Sequence, residues 1–479
     1  MEFPSVRSAV TADARTPESP SPVRAWVITI LLLVFMLINF ADKAVLGLAA
    51  KPITHDFGLS ASEYGLLSSA FYFLFSISAI VVGFVSNRVR AKWVLLVMAV
   101  IWALAQLPVL GVASFGVLMA CRVVLGAAEG PANPVAMHAA SKWFPNEKRS
   151  LPSAVLNMGS AIGVTLGAPL LTAIIVAYGW RWAFFSLFAV GMAWVLVWAV
   201  AGKEGTVAGT ASVHAPQAPP TETPEAAGTL EAAGAAGAAK PRVAYRRILL
   251  SGTWLGGFFA GFAAYWALAL LTAWIPDYLE TGLGYSVSAT GTLVILPWAA
   301  LAVFNLSQGA VTEWLMRRGV SSRRARGVLG GVAVLVSGVA MVLFPIVGDR
   351  PLQLALLTIA FSLGGIFFAI ALTVNAEISP TRQRGAVLSI SIGLITTAGL
   401  LAPYLTGQVI DAVGSATRGY TVAFAIAGAL SIAGGLLAVI LVRPERDARR
   451  LGLPGRGGGA GAAAGGHRGM RDDTRPPGS

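Results

Sequence analysis

Apolar residues fall in twelve long runs parted by short polar stretches, at residues 25–50, 63–86, 93–113, 115–142, 151–178, 183–202, 252–276, 288–315, 327–347, 351–376, 385–411 and 419–442. A helix rising 1.5 Å per residue needs about 20 residues to cross roughly 30 Å of hydrocarbon. The runs match that length and are too long and continuous for membrane-spanning strands. Backbone in lipid must satisfy its own hydrogen bonds, so the pattern predicts an all-α membrane protein of about twelve transmembrane helices.

Composition agrees: 56% of the 479 residues are hydrophobic, 12% are charged, and the mean hydropathy is +0.72. Residues 1–24, rich in Pro, Ser and Thr, read as a disordered cytoplasmic tail without the apolar core of a secretory signal. Residues 203–250 open on an Ala, Gly and Pro-rich stretch and read as a flexible cytoplasmic linker. It separates a six-helix bundle at 25–202 from a second at 251–442, and residues 443–479 form a disordered basic tail. Lys and Arg number eighteen on the loops of one side and four on the other, which places both termini in the cytoplasm. The net charge of +13 is then a topology signal and calls for no nucleic-acid partner. One cysteine, Cys121, and four histidines offer neither a disulfide nor a metal site. No Ser, His and acid set, HExxH or phosphate loop is present, so neither enzyme chemistry nor a cofactor is expected.

The two halves echo each other. After the second run, Gly83, Asn87 and Lys92 parallel Gly309, Glu313 and Arg318 after the eighth. After the fourth, Pro145 and Arg149 parallel Pro380 and Arg384 after the tenth, beside Glu377. Such repeats are usual in transporters. Charges on these inner loops are expected to latch the halves in one arrangement and release them in another.

Four charges lie inside apolar runs: Asp42 and Lys43 in the first, Arg122 and Glu129 in the fourth. Each costs about 2.5–3.5 kcal/mol at the bilayer centre unless compensated, so they are expected to face a shared cavity. Counting from the outer ends of the helices puts Asp42 and Arg122 at one depth and Glu129 about 10 Å deeper. Neighbours on a helix point about 100° apart, so Asp42 is expected to pair with Arg122 while Lys43 faces the pore. Asn39 lies one turn before Lys43 on the same face. Glu129 is expected to stand alone, and an isolated carboxyl in a low dielectric takes up a proton near neutral pH. The four charges cancel, so one proton and one monocarboxylate together keep a closed cavity neutral, which is the logic of symport.

The paired six-helix halves and their loop motifs resemble the major facilitator superfamily. The runs NFADKAVLGLAAKPI, RVVLGAAEGPANP, WFPNEKR, GWRWAF and WIPDYL resemble its anion:cation symporter family, with galactonate, glucarate and phthalate-type permeases, over roughly 25–445. The resemblance implies two six-helix domains working by alternating access. It implies proton uptake at Asp42 and Glu129, substrate contact at Lys43, and an organising role for Arg122. Lys43 stands where the family usually has arginine, which loses planar bidentate recognition. Phe75, Ser160 and Thr396 replace a tyrosine, a glutamine and an asparagine of the sugar-acid members, and Asn87 replaces the usual aspartate of its loop. These changes favour a less hydroxylated, even aromatic, organic acid over a sugar acid. The reading is a monomer in the bacterial inner membrane, taking up an organic acid anion with protons. Gly159, Gly163, Gly167 and Pro169 keep a drug or metabolite efflux antiporter as the alternative, the glycine spacing also being a helix-packing face. An anion-sensing receptor is the remaining class.

Overall fold

The computed structural model describes residues 21–85, 89–111, 114–145, 148–205, 243–380 and 383–453. Most of the expected N-terminal tail, linker and basic tail, and Asn87 of the first loop motif, lie outside the described residues. The described chain is helical and contains no strand. Twelve helices are long and apolar enough to span a bilayer: α1 Pro22–Leu48, α2 Ala61–Val82, α3 Ala91–Gly111, α4 Phe115–Ser141, α5 Leu151–Tyr178, α6 Trp180–Ala201, α7 Gly252–Ala273, α8 Val287–Arg317, α9 Arg323–Leu343, α10 Arg350–Glu377, α11 Arg384–Val413 and α12 Ala416–Leu441. They fall on the twelve apolar runs, so this is a multi-pass membrane protein. Below, the end where α1 begins is proximal and the end where it stops is distal.

Of the spans that are broken where the hydrophobic count gave one helix, α4 and α10 are broken at matching depth. In α4 the first segment stops at Glu129, and a second starts at Ala132. Pro131 and Pro134 cause this, since each withdraws the N–H that a carbonyl four residues earlier would accept. In α10 a short 3₁₀ turn over Leu363–Ile366, carrying Gly364 and Gly365, interrupts the helix at the corresponding depth. Irregular backbone at membrane depth is tolerated where protein or a cavity covers it, and matched breaks in two halves point to the centre of the molecule.

Glycine decides the close packing. A Cβ on Gly159, Gly163 or Gly167 would lie 2.6–2.9 Å from Met36, Leu37 or Ala41, so this stripe of α5 is filled by α1. Packing therefore accounts for the spacing that otherwise pointed toward an antiporter.

At the distal end the two six-helix sets meet. A Cβ on Gly65 would lie 2.3 Å from the carbonyl oxygen of Pro403, and one on Gly407 2.2 Å from that of Ala61, so α2 and α11 touch backbone to backbone. Asp411 accepts from the Ala61 and Ser62 amides at 3.1 and 2.8 Å, and the Tyr404 amide donates to Ser69 Oγ at 3.1 Å. Gly47 of α1 packs on Thr272 of α7, and Tyr64 donates to the Ala273 carbonyl at 3.0 Å. Toward the proximal end, Ala132–Ser141 of α4 packs on α1, α2, α3 and α5, while Phe367–Glu377 of α10 packs on α7, α9 and α11. Each keeps its main contacts within its own set, while α2 and α11 stay in contact from Gly65 and Pro403 as far as Ile80 and Gly393.

The expected latch between halves is absent from this arrangement among the described residues. Lys142 pairs with Glu204, which also accepts from the Ala91 and Lys92 amides. Lys92 Nζ caps the Ala199 carbonyl at 2.8 Å, and Arg149 Nε donates to the Phe144 carbonyl at 3.0 Å. Glu377 pairs with Arg326 and accepts from Ser322, and Glu313 pairs with Arg317 one turn on. Arg384 Nε is buried without a hydrogen-bond partner. Among the described residues these charges find partners inside their own set.

Two carboxyls lie past α7 at the distal end, Asp277 half-buried and Glu280 buried. Asp277 accepts from Tyr420 and Thr281, and burial raises its pKa. Glu280 is 8% exposed. Burial and then the charge of Asp277 push it up to about 7 against the opposing pull of Lys51.

Two predictions follow from this packing. Gly65→Val is expected to leave insertion intact but hold the distal end open. In a Cys121→Ser, Leu46→Cys background, labelling by an impermeant thiol reagent from the distal side should rise about tenfold, with transport falling by a similar factor. Gly126→Val, whose Cβ would lie 1.7 Å from the Phe71 carbonyl oxygen within one set, is expected instead to lower the yield of folded protein. The second concerns pH. Glu280 holds its proton in the folded state above the ordinary glutamate range, so its contribution to stability is present at acid pH and lost as pH rises toward about 7. Glu280→Gln should therefore flatten the decline of the thermal midpoint between about pH 5 and about pH 8.

Candidate functional site

In the distal half of α1 and the first segment of α4 the four membrane charges approach one another, all turned inward. Asp42 is fully buried, Glu129 is 1% exposed and Arg122 5%. Glycine makes this approach possible: a Cβ on Gly126 or Gly130 would collide with the carbonyl oxygens of Phe71 and Phe75, at 1.7 and 2.1 Å. Without those side chains α4 lies directly against α2, which carries Arg122 and Glu129 to the centre.

The pairing differs from the one expected. Asp42 makes no ion pair with Arg122; its Oδ1 accepts from Gln106 Nε2 of α3 at 2.6 Å, and its Oδ2 has no hydrogen-bond partner. Glu129 does not stand alone, because Lys43 Nζ lies 3.6 Å from its Oε2. Helical side chains lean toward the N-terminus. Lys43 therefore reaches proximally along α1, donates to Asn39 Oδ1 at 2.7 Å and arrives at the deeper level of Glu129. Depth counted at Cα missed this reach.

Much of the cluster's hydrogen-bonding capacity is unused. Both Glu129 oxygens, Asn39 Nδ2, and Arg122 Nε and Nη1 are buried without hydrogen-bond partners. A cavity beside them is lined by Lys43, Ser68, Phe71, Tyr72, Arg122 and Thr272, with Leu46 and Ala273. Ser68 Oγ on its wall is also unpartnered. Aromatic faces surround the cations: Lys43 Nζ is 4.4 Å from the Phe40 ring centroid and 5.4 Å from that of Phe75, and the Arg122 guanidinium is 5.8 Å from Phe71. Such contacts offset part of the desolvation of a cation. Two cations with uncommitted donors, beside a carboxylate within reach of one of them, can hold an anion and exchange a proton.

The remaining expected site residues divide. Thr396 of α11 is buried and hydrogen-bonds Ser76 of α2, one residue from Phe75, so it joins the two sets near the cluster. Ser160 is half-buried on α5 and donates only to the Asn157 carbonyl of its own helix, at 2.9 Å. Gln106, Ser68, Tyr72 and Thr272 escaped the sequence reading. The available signal for Gln106 was a lone amide inside an apolar run; next to Pro108 it reads equally as a helix end.

The family model for the Major Facilitator Superfamily matches residues 32–364. The chain is 28% identical over 430 residues to the hexuronate transporter of Bacillus subtilis (strain 168), covering 87% of this chain and 94% of that protein. It is 28% identical over 432 residues to a probable sulfoacetate transporter of Cupriavidus necator, covering 88% and 94%. Both are transporters of organic anions, the kind that the α1 and α4 runs resemble. The fold matches the crystal structure of a D-xylose–proton symporter with a TM-score of 0.68 at 15% identity, over 88% of this chain and 99% of that one. On the twelve-helix architecture and the family model together, the chain belongs to the major facilitator superfamily.

Proposed function

We propose that this protein carries a small organic acid anion into the cell together with protons, by alternating access around the cluster of Asp42, Lys43, Arg122 and Glu129. The observation that carries the reading is the Lys43–Glu129 pair at 3.6 Å, with neither Glu129 oxygen hydrogen-bonded, beside an Arg122 whose Nε and Nη1 are unpartnered. The Lys and Arg bias of the loops supports placing the proximal end in the cytoplasm.

The coupling follows from charge. The four side chains cancel, and a proton on Glu129 removes the counter-charge of Lys43. Lys43 and Arg122 then present net positive charge to the cavity, and a monocarboxylate restores neutrality. Occluding net charge in a low-dielectric space is costly, so the closed protein moves either empty or with both ligands. Alternation needs the distal contacts of α2 with α11 and α1 with α7 to part. Glycine contacts and a few hydrogen bonds are suited to that, and the carboxylate among them, Asp411, is exposed, so water can replace its amide donors.

The substrate class is supported from two sides. The names of the two relatives specify small organic anions, one rich in hydroxyls and one without. Around the cations of this chain the rings of Phe40, Phe71, Phe75 and Tyr72 outnumber the hydroxyls of Ser68, Tyr72 and Thr272. A carboxylate or sulfonate with few hydroxyls fits that lining better than a sugar acid.

Reconstituted in proteoliposomes, the wild type is expected to accumulate labelled organic acid when the medium is acidified, with hexuronate and sulfoacetate as first probes. Glu129→Gln should abolish proton-driven accumulation but keep counterflow within about threefold, because the cations remain free to bind. Lys43→Ala should lower both by about tenfold or more. Full proton-driven accumulation by Glu129→Gln would overturn the coupling assignment.

A further inference from the structure

Gln106 is a buried amide set against one of the two carboxylates of the cluster, and no charge balance requires it. It is 2% exposed, at the last turn of the first segment of α3, before Leu107 and Pro108 break that helix. Its Nε2 donates to Asp42 Oδ1 at 2.6 Å. Charged groups facing Asp42 are Arg122 and Glu129 from α4 and Lys43 from its own helix, and none lies within ion-pair distance of it. Gln106 thus takes the place that Arg122 was expected to fill, and Arg122 keeps two nitrogens uncommitted.

We infer that Gln106 is a positioning residue that holds Asp42 apart from Arg122 and serves it in both protonation states, leaving the guanidinium free for the transported anion. This rests on the proton-coupled reading above. An amide suits the task because it has both a donor and an acceptor end. With Asp42 ionised, the NH₂ group donates to the carboxylate. With Asp42 protonated, the amide turns by half a revolution and its carbonyl accepts the new O–H. The proton comes from water on the side to which the cavity is open and leaves to water on the other. An arginine in that place would favour the ionised form alone, and an apolar residue would disfavour it. A partner able to serve either state lets Asp42 load and unload without leaving a buried polar atom stranded at each step.

The test measures counterflow of labelled substrate at equal pH on both sides of proteoliposomes, as a function of that pH, for wild type, Gln106→Leu and Gln106→Glu. Each is also made in an Asp42→Asn background. In Gln106→Leu the carboxylate loses its donor, and in Gln106→Glu two acids share one proton. Both are expected to move the half-maximal pH upward by about one unit, a tenfold change in proton concentration. The Asp42→Asn background should erase the shift. An unshifted profile in whichever variant still exchanges substrate overturns the inference, and so does an equal shift with Asp42→Asn. Loss of exchange in both variants at every pH also overturns it, since a residue that only serves Asp42 leaves exchange between protonated states intact. Proton-driven uptake by wild type in the same vesicles separates the two levels: its absence removes the proposed function, whereas its presence with unshifted Gln106 variants removes only the role of Gln106.

Discussion

A charge in the middle of a bilayer must be compensated or it will not stay, and this constraint organises the centre of the molecule. Asp42, Lys43, Arg122 and Glu129 cannot be spread among twelve helices facing lipid; they have to converge, and α1 and α4 must lie where they can. The rest of the first six-helix set is arranged to allow it. Gly126 and Gly130 bring α4 against α2, and Gly159, Gly163 and Gly167 bring α5 against α1, so the helices carrying charge are held by backbone-close contacts on both sides. Compensation is nevertheless incomplete. Several donors and acceptors of the cluster have no hydrogen-bond partner, an expensive condition for a structural network and a useful one for a site that takes a ligand.

The architecture was legible because its signal is one of length. Helices that cross lipid must be apolar for about 20 residues, and nothing subtler is needed to count them. The participants in the charge cluster were legible for the same reason, since charge inside an apolar run announces itself. Their partnerships were not, and three physical causes can be named. Gln106 carries no charge, so a balance of charges had no place for it. Lys43 has a long side chain that leans toward the start of its helix, so its ammonium works about a turn away from its Cα. Pro131 and Pro134 end the first segment of α4 at Glu129, which a hydrophobic count reads straight through. Thr396, which came from the family resemblance, lies within hydrogen-bonding reach of Ser76, whereas Ser160, from the same source, bonds only to its own helix.

The two kinds of contact in the protein are distributed unequally. Ion pairs among the described residues, such as Lys142–Glu204 and Arg326–Glu377, lie within one six-helix set. Contacts between the sets use glycine faces, helix-end amides and hydroxyls, as at Gly65, Ser69 and Asp411. Separating an ion pair in a poorly solvated place strands two charges, whereas separating a glycine face exposes little that lipid or water cannot accommodate. Strong bonds inside each set and weak ones between them suit the sets to move as bodies, which the alternating access proposed above requires.

The same reasoning explains why the cluster sits almost wholly on one side of the seam. Lys43, Arg122, Asp42 and Glu129 all belong to the first set, and the second contributes Thr272 and Ala273 to the cavity wall and Thr396 through Ser76. If opposite charges were divided between the sets, each parting of the seam would break an ion pair, and the barrier to movement would rise whether or not a ligand was bound. With the charges held by one body, rocking leaves their mutual distances unchanged. On the proposed mechanism only a proton or an anion arriving in the cavity would then alter the balance, so occupancy rather than motion would decide whether closure leaves a net charge buried.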